Sequence, residues 1–211
     1  MLDEIVERLV SSKTFRRERK KNRTRALGIA LHYLGVSLRD TADVVSCIEK
    51  ISHEAVRQWF QRLGTITPTI AKKERKIVAI DETKLRIRKK WYFLWAAIDV
   101  DTKELLGVYL SPSRTSFDTM FFLRHIMRYC SNKPVILVDG GPWYGWTLTR
   151  MGFVWHHITH GLRNAIEQWY AIFKRRTRRF YNIFNAAKDI RSTLTWCKAF
   201  ANGYNLRLVL S

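Results

Sequence analysis

The sequence predicts an α/β protein: a mixed β-sheet flanked by helices, preceded by a small all-α module. Two observations predict this architecture. Apolar residues recur at helical spacing as far as about residue 63, and beyond residue 76 they form the short runs that are typical of strands. The later elements follow the order β-β-β-α-β-α-β-α, which is typical of a mixed sheet. The predicted domains are a helical region at 1–63, a linker at 64–76 and an α/β domain at 77–211.

Three short helices are predicted in the first region. The first covers residues 25–34, and Ser37 and Ser52 are the predicted N-caps of the second and third. Short helices with tight connections resemble a helix-turn-helix, although any small helical bundle shows the same pattern. The third helix turns a polar face away from its core, and this face can bond base edges as well as phosphates. Its members are His53, Glu54, Arg57, Gln58 and Gln61.

A basic segment precedes these helices. Residues 13–25 contain eight basic side chains and one acid, and Lys20 and Arg23 are the residues we expect to contact phosphates. A solvated arm without a ligand would have the same composition. The sequence therefore predicts DNA contact by the whole N-terminal region, through this segment and the third helix.

The α/β domain is read from its apolar runs. The predicted elements are strands at 77–80, 91–98 and 105–110, a helix from 116 to about 129, a strand at 134–138, a helix at 143–151, a strand at 153–157 and helices from Asn164 onward. Three sequential strands form an antiparallel meander, and the helical crossovers place later strands parallel to the first. This order matches a ribonuclease-H-like fold.

The charge of the chain indicates its partner. The 211 residues include 38 Lys and Arg against 18 Asp and Glu, a formal net charge of +20, which attracts polyanions. No apolar run approaches the ~18 residues of a spanning helix, and the acidic N-terminus does not resemble a signal peptide. We therefore expect a cytoplasmic, nucleoid-associated protein that binds double-stranded DNA and no membrane.

Three acids stand where a packed core would not require them. Asp81 follows an apolar strand, Asp139 ends another, and Glu167 lies in the first turn of a helix. The predicted topology makes the first and fourth strands neighbours, so Asp81 and Asp139 should meet, and carboxylate oxygens suit Mg²⁺ or Mn²⁺. Alternatively, Glu167 complements a helix dipole and Asp139 is a turn residue. Strand alternation should send Glu82 to the opposite face.

Other metal and stacking sites have weaker support. The three cysteines include no CxxC pair, and the cluster His156, His157 and His160 has no further ligand near it in the sequence. Trp143 and Tyr144 follow a Gly-Gly-Pro turn, where aromatic rings either stack on an unpaired base or belong to the core. We interpret them as core.

Around the three acids the sequence resembles the insertion-sequence transposases of the IS6 family. The resemblance covers essentially the whole chain and is carried by three motifs in order. They are Val-Ala-Ile-Asp-Glu-Thr at 78–83, Val-Asp-Gly at 138–140, and Arg-Asn-Ala-Ile-Glu-Gln-Trp at 163–169 leading into Phe-Lys-Arg-Arg at 173–176. It implies that Asp81, Asp139 and Glu167 are the catalytic Asp-Asp-Glu set, and that Lys174 is the basic residue that accompanies it.

Spacing agrees with this role for Lys174, which lies seven residues after Glu167, two turns along the same helix face. Arg175 and Arg176 could extend a phosphate track or belong to a solvated face. One departure concerns the interval between Asp139 and Glu167: its 27 residues, 140–166, are fewer than the resemblance leads us to expect, and the shortening should fall near 147–160.

The implied activity is cleavage at the ends of an insertion element, followed by joining of the 3′ hydroxyl to target DNA by two-metal-ion phosphoryl transfer. A metal-dependent nuclease or resolvase of the same fold would cut without joining. A decayed transposase acting as a DNA-binding repressor would do neither. Because two ends are joined, the mechanism leads us to expect a homodimer or a higher homo-oligomer.

Overall fold

The structure is a computed structural model that describes residues 19–66, 70–158, 164–179 and 189–208, with isolated positions at 3, 5–7, 15, 161 and 184. Two compact units are present, one comprising Met1–Pro68 with Arg191–Ser211 and the other Thr69–Ile190. Across the described residues, no helix has both the length and the apolar character needed to cross a membrane.

Seven helices and five strands are described. The helices are α1 (Asn22–Leu34), α2 (Leu38–Ser46), α3 (His53–Leu63), α4 (Ser116–Ile126), α5 (Pro142–Arg150), α6 (Asn164–Arg179) and α7 (Ile190–Leu208), with a 3₁₀ turn at Met127–Tyr129. The strands are β1 (Ile77–Ile87), β2 (Lys90–Asp99), β3 (Leu105–Ser111), β4 (Val135–Val138) and β5 (Trp155–His157). The shortened interval before Glu167 thus contains a nine-residue helix and a three-residue strand.

In the first unit, α1, α2 and α3 are the three predicted helices. Ser37 Oγ accepts a hydrogen bond from the Asp40 N–H at 3.1 Å, and Ser52 Oγ accepts one from the Ala55 N–H at 3.2 Å, so both predicted N-caps are confirmed. Trp59 is 1% exposed and packs where Gly28 leaves room, since a Cβ at Gly28 would lie 3.3 Å from the indole.

Helix α7 completes this unit. The Phe200 ring lies 5.2 Å from the ring of Tyr33 on α1, the Trp196 ring lies 5.7 Å from that of Phe60 on α3, and Asn202 Nδ2 donates to the carbonyl that ends α3 at Leu63. The domain boundaries drawn from the sequence stay a prediction. The structure adds that the C-terminal helix packs with the N-terminal helices.

The second unit is built on a five-stranded sheet with the order β3-β2-β1-β4-β5. Strands β1, β2 and β3 pair antiparallel, whereas β4 lies parallel to β1 and β5 lies parallel to β4. The core between the sheet and helices α4 and α5 includes Trp95, Phe122 and Leu148, and α6 contacts β1 and β2. This is the ribonuclease-H-like arrangement, so the predicted fold class is confirmed.

Strand β1 is longer than the sequence analysis predicted. It continues past residue 80 to Ile87 and pairs with β2 as far as Ile87 opposite Lys90. The hairpin turn consists of Arg88 and Lys89, which have φ values of 46° and 68°, the left-handed conformation that a two-residue hairpin loop requires. Asp81, the catalytic candidate in this segment, therefore lies inside a strand rather than after its end.

Part of the predicted linker belongs to the folded second unit. Arg75 is 1% exposed, and its guanidinium contacts Asp99 at 2.5 Å, Glu104 at 3.0 Å and the Tyr129 carbonyl at 3.0 Å. Asp99 also accepts backbone hydrogen bonds within the turn that joins β2 to β3. A buried cation with this many acceptors fixes the chain before β1 to the sheet.

Candidate active site

The two aspartates of the predicted site converge because their strands are neighbours. Strands β1 and β4 pair in parallel from Ile77 opposite Val135 to Ala79 opposite Leu137. Asp81 and Asp139 each lie two residues beyond that last pair, so strand alternation puts them on the same face of the sheet. The carboxyl ends of parallel strands are where an open α/β sheet places its ligands.

Three carboxylates come together at this point. Asp81, Glu82 and Asp139 each have an oxygen within 4.8 Å of the others. The Glu82 N–H donates to Asp81 Oδ1 at 2.9 Å, and the Gly141 N–H donates to Asp139 Oδ1 at 3.2 Å. Backbone N–H groups close to each aspartate in the chain therefore orient the two carboxylates.

Glu82 lies on the opposite face of β1 from Asp81, as strand alternation predicts, and it bonds Tyr144 there. That face does not keep its carboxylate away from the aspartates, because one of its oxygens lies within 4.8 Å of theirs. The reason is the end of the sheet: because β4 pairs with β1 only as far as Ala79, the edge of β1 at Glu82 is not covered by β4. Side chains from both faces can therefore meet there.

Glu82 is held by two donors on its own side of the sheet. The Tyr144 hydroxyl donates to Glu82 Oε2 at 2.5 Å, and Arg114 Nη1 donates to Oε1 at 3.3 Å, while the Glu82 side chain is 3% exposed. Burial raises the pKa of Glu82, and the charge of Asp139 adds to this, although the bonds from Tyr144 and Arg114 oppose it. Burial, together with the negative charge of Glu82, holds the pKa of Tyr144 well above its usual range.

Aromatic rings fix Arg114 in place. Its guanidinium lies 4.6 Å from the centroid of the Phe93 ring and 4.3 Å from that of Trp143. The Trp143 ring also lies against Gly141, where a Cβ would be 2.6 Å from the indole. Tyr144 is 1% exposed and Trp143 packs against the core, so both belong to the core as we interpreted them.

Glu167 is not part of this group. It lies in the first turn of α6 with an exposed side chain, and within the described residues it does not come within the 4.8 Å spacing of the two aspartates. One turn later, however, Tyr170 ties α6 to the site. Its hydroxyl lies 2.8 Å from the carbonyl oxygen of Asp81 and 2.8 Å from that of Leu94.

The basic residues of α6 divide between its two faces. Lys174 is exposed, and its Nζ lies 5.9 Å from the centroid of the Tyr170 ring, so Glu167, Tyr170 and Lys174 follow one side of the helix. Arg175 is also exposed. Arg176 is only 6% exposed, because it continues the buried stripe of Trp169 and Phe173. Arg176 is therefore not on a solvated face, and its contact with DNA stays a prediction that this burial does not support.

One histidine lies beside the site. The imidazole of His157 lies against Gly140, where an added Cβ would be 3.1 Å from Cε1, so a larger residue after Asp139 would require the imidazole to shift by a few tenths of an ångström. His156 and His157 are exposed, and His160 lies outside the described residues. The sequence analysis missed both this neighbour and the Tyr144–Glu82 bond, since each joins residues from different elements.

The predicted recognition face on α3 is in the first unit. His53, Arg57 and Gln58 are exposed. Arg57 makes two hydrogen bonds to Glu54, at 2.7 and 2.6 Å, and Gln58 donates to the same carboxylate at 3.1 Å. The bond from Arg57, followed by that from Gln58, lowers the pKa of Glu54 to about 2. Glu54 therefore stays ionised and holds both side chains.

The two basic residues before α3 differ in their surroundings. Lys20 donates to the Lys50 carbonyl at 2.6 Å and lies 3.5 Å from Glu49, so it ties the residues just before α1 to the segment before α3. Arg23 is 78% exposed and lies 3.6 Å from Asp3, which is 84% exposed. An ion pair this exposed is easily exchanged for a phosphate.

The carboxylate group fits a divalent cation. Its three side chains offer hard oxygen donors, and at this spacing their negative charges repel one another unless a cation lies between them. The sheet topology and the acidic group at the ends of β1 and β4 together define the class of protein, a ribonuclease-H-like protein with an acidic group that could hold a metal ion.

Comparisons with known proteins identify the family. Residues 75–205 match the family described as a DDE domain. The chain is 42% identical over 204 residues to the uncharacterized protein MJ0017 of Methanocaldococcus jannaschii, covering 97% of this chain and 95% of that protein. It is 27% identical over 177 residues to the transposase for insertion sequence element IS257 of Staphylococcus aureus, covering 79% and 78%.

Among solved structures, the HTLV-2 integrase catalytic core in complex with magnesium is 21% identical, with a TM-score of 0.44, and covers 64% of this chain and 86% of that chain. The simian T-cell lymphotropic virus intasome is 13% identical, with a TM-score of 0.48, and covers 80% and 67%. Because its residues 75–205 match the DDE domain and the chain is similar to the IS257 transposase, it belongs to the IS6 family of DDE transposases. Its general function is DNA transposition.

Proposed function

We propose that this protein cleaves DNA at the ends of an insertion element and joins the liberated 3′ hydroxyl to target DNA, with Asp81, Asp139 and Glu167 as ligands of Mg²⁺ or Mn²⁺. The observation that carries the proposal is the convergence of Asp81 and Asp139, whose oxygens lie within 4.8 Å at the ends of adjacent strands. Two divalent ions bound there would activate the attacking oxygen and stabilise the leaving one in an in-line displacement at phosphorus.

The chain's own contribution is to hold these groups in position. The backbone donors at Glu82 and Gly141 orient the two aspartates. Helix α6, which Tyr170 holds against the strand at Asp81, would bring Glu167 to the metal ions. Lys174, two turns after Glu167, would place its ammonium on a phosphate near the scissile bond. Arg175 would extend that contact along the DNA.

The N-terminal helices would recognise the ends of the element as a helix-turn-helix. The polar face of α3 supports this role, because Arg57 and Gln58 are exposed and are held together by Glu54. Arginine and glutamine are both able to bond base edges in the major groove. Lys20 and Arg23 would contact phosphates nearby.

The proposed reaction joins two DNA ends to one target, so we propose that it requires at least two copies of the chain. The net charge of +20 supports binding of long stretches of DNA by each copy.

The reaction type is tested with purified full-length protein, Mn²⁺ and DNA carrying the inverted repeats that flank the element. Products in which a 3′ end is joined to target DNA are expected. Cleavage without joining would assign a nuclease instead, and specific binding without cleavage would assign a repressor. Either result would overturn the proposed function.

A further inference from the structure

Glu82 lies in the acidic group, although the family motif does not count it among the catalytic acids. Its oxygen is within 4.8 Å of those of Asp81 and Asp139, whereas Glu167 stands exposed on α6 outside this spacing. Among the described residues of the DNA-free protein, the carboxylates that already lie together are therefore the two aspartates and Glu82. Three carboxylates supply enough hard oxygen ligands to start the coordination shell of a divalent ion.

Two hydrogen bonds, in addition to burial, fix the position of the Glu82 side chain. Its side chain is 3% exposed, and each of its oxygens accepts a hydrogen bond from a different element, Tyr144 on α5 and Arg114 before α4. Tyr144 is itself buried, and its ring meets Trp95 edge-on at 5.8 Å. A carboxylate held from two sides loses little further freedom when it binds a cation.

The charges in the group also favour this role. An ionised glutamate with only a structural role would be more stable far from other acids, because like charges repel. Glu82 instead lies beside two aspartates. Arg114 brings one positive charge to Glu82, and that guanidinium also lies over the rings of Phe93 and Trp143. A divalent cation among the three carboxylates would balance the remaining negative charge.

We propose that Glu82 is a ligand of the first divalent ion, which Asp81, Glu82 and Asp139 bind together before DNA arrives and before Glu167 takes part. This inference rests on the proposed metal centre. It differs from the Asp-Asp-Glu assignment in adding a fourth carboxylate and an order of binding. Glu167 would then be needed for the chemistry on DNA and not for loading the first ion.

The test is a calorimetric titration of the DNA-free, full-length protein with Mn²⁺ alone, with folding checked by circular dichroism. Glu82→Gln keeps the size of the side chain and removes its charge, and it is expected to weaken Mn²⁺ binding by about tenfold or more. Glu167→Gln is expected to change the affinity by less than about twofold. Tyr144→Phe keeps the carboxylate and removes one donor to it, so its effect should be smaller than that of Glu82→Gln.

Asp81→Asn separates failure of this inference from failure of the proposed function. If Asp81→Asn weakens Mn²⁺ binding while Glu82→Gln binds as the wild type does, Glu82 is not a ligand and the metal centre stands without it. If neither variant changes the affinity, the metal centre itself is wrong and both proposals fall. Should Glu82→Gln not fold, Glu82→Leu combined with Tyr144→Phe removes the carboxylate and its buried donor together, and the same outcomes apply.

Discussion

Tyr170 offers a way to test how the helix that carries Glu167 is held at the site. Its hydroxyl lies 2.8 Å from the carbonyl oxygens of Asp81 and Leu94, and Tyr170→Phe removes those contacts while keeping the ring, which is 4% exposed. One lost buried hydrogen bond should lower the free energy of unfolding by about 0.5–1.5 kcal/mol.

The effect of Tyr170→Phe on catalysis should be larger than this loss of stability suggests. Glu167 is one helical turn away, and a shift of about 1 Å in a reacting group can cost about 10²-fold in rate. We expect Mn²⁺-dependent cleavage of element-end DNA to slow by about ten- to a hundredfold, with binding of that DNA unchanged.

Two assays and one control decide this prediction. Urea unfolding gives the change in stability, and single-turnover cleavage gives the change in rate. Tyr109→Phe is the matched control, because Tyr109 lies in β3 of the same sheet with its ring 6.4 Å from that of Phe122 and outside the acidic group, and it should cleave at the wild-type rate. If Tyr170→Phe loses stability but cleaves as fast as the wild type, the hydroxyl does not position Glu167.

Three further predictions concern DNA binding and stability. Phosphate contacts should dominate affinity for random DNA, so raising the salt from about 50 to 200 mM should weaken binding by about 10³–10⁵-fold; a flat salt dependence in fluorescence anisotropy would contradict this. Arg57→Ala should relax the preference at one base position by roughly 1–3 kcal/mol, measured by competition between end DNA and its single-base variants, whereas Lys20→Ala should weaken all sequences alike. Arg75→Met should lower the free energy of unfolding by about 3–5 kcal/mol, because it leaves Asp99 as a buried, uncompensated charge. Lys72→Met, at an exposed neighbouring residue, is the control in the same urea unfolding experiment. If Arg75→Met lowers the free energy of unfolding no more than Lys72→Met does, the ion pair is not needed for stability.

Local sequence patterns were sufficient for most of the fold. Ser37 and Ser52 cap their helices because N-capping depends on a few neighbouring residues. The second half of β1 is longer than predicted although its signal is present: the buried Leu85 and Ile87 alternate with the exposed Lys84 and Arg86, which is the pattern of a half-buried strand. The burial of Arg176 also has a sequence signal, because Arg176 follows the buried Trp169 and Phe173 at helical spacing in α6.

The rest depends on contacts between distant residues. The partners of Arg75 lie 24 and 29 residues away, and the donor to Glu82 on Tyr144 lies 62 residues away. The approach of Glu82 to the aspartates also depends on where β4 stops pairing with β1, a property of the assembled sheet. Strand alternation alone therefore predicted the correct face for Glu82 but not the closeness of its carboxylate to the aspartates.

The central claim is that the paired aspartates act as metal ligands in strand transfer, and it is tested most directly by removing their charge. Asp81→Asn and Asp139→Asn keep the size of each side chain but remove the charge that a divalent ion needs. In the joining assay with Mn²⁺, both variants should bind element-end DNA as the wild type does and lose cleavage and joining by orders of magnitude. Asp101→Asn, the same change at an exposed turn of the same sheet, should join normally. Joining by Asp81→Asn and Asp139→Asn at the rate of Asp101→Asn would contradict the claim.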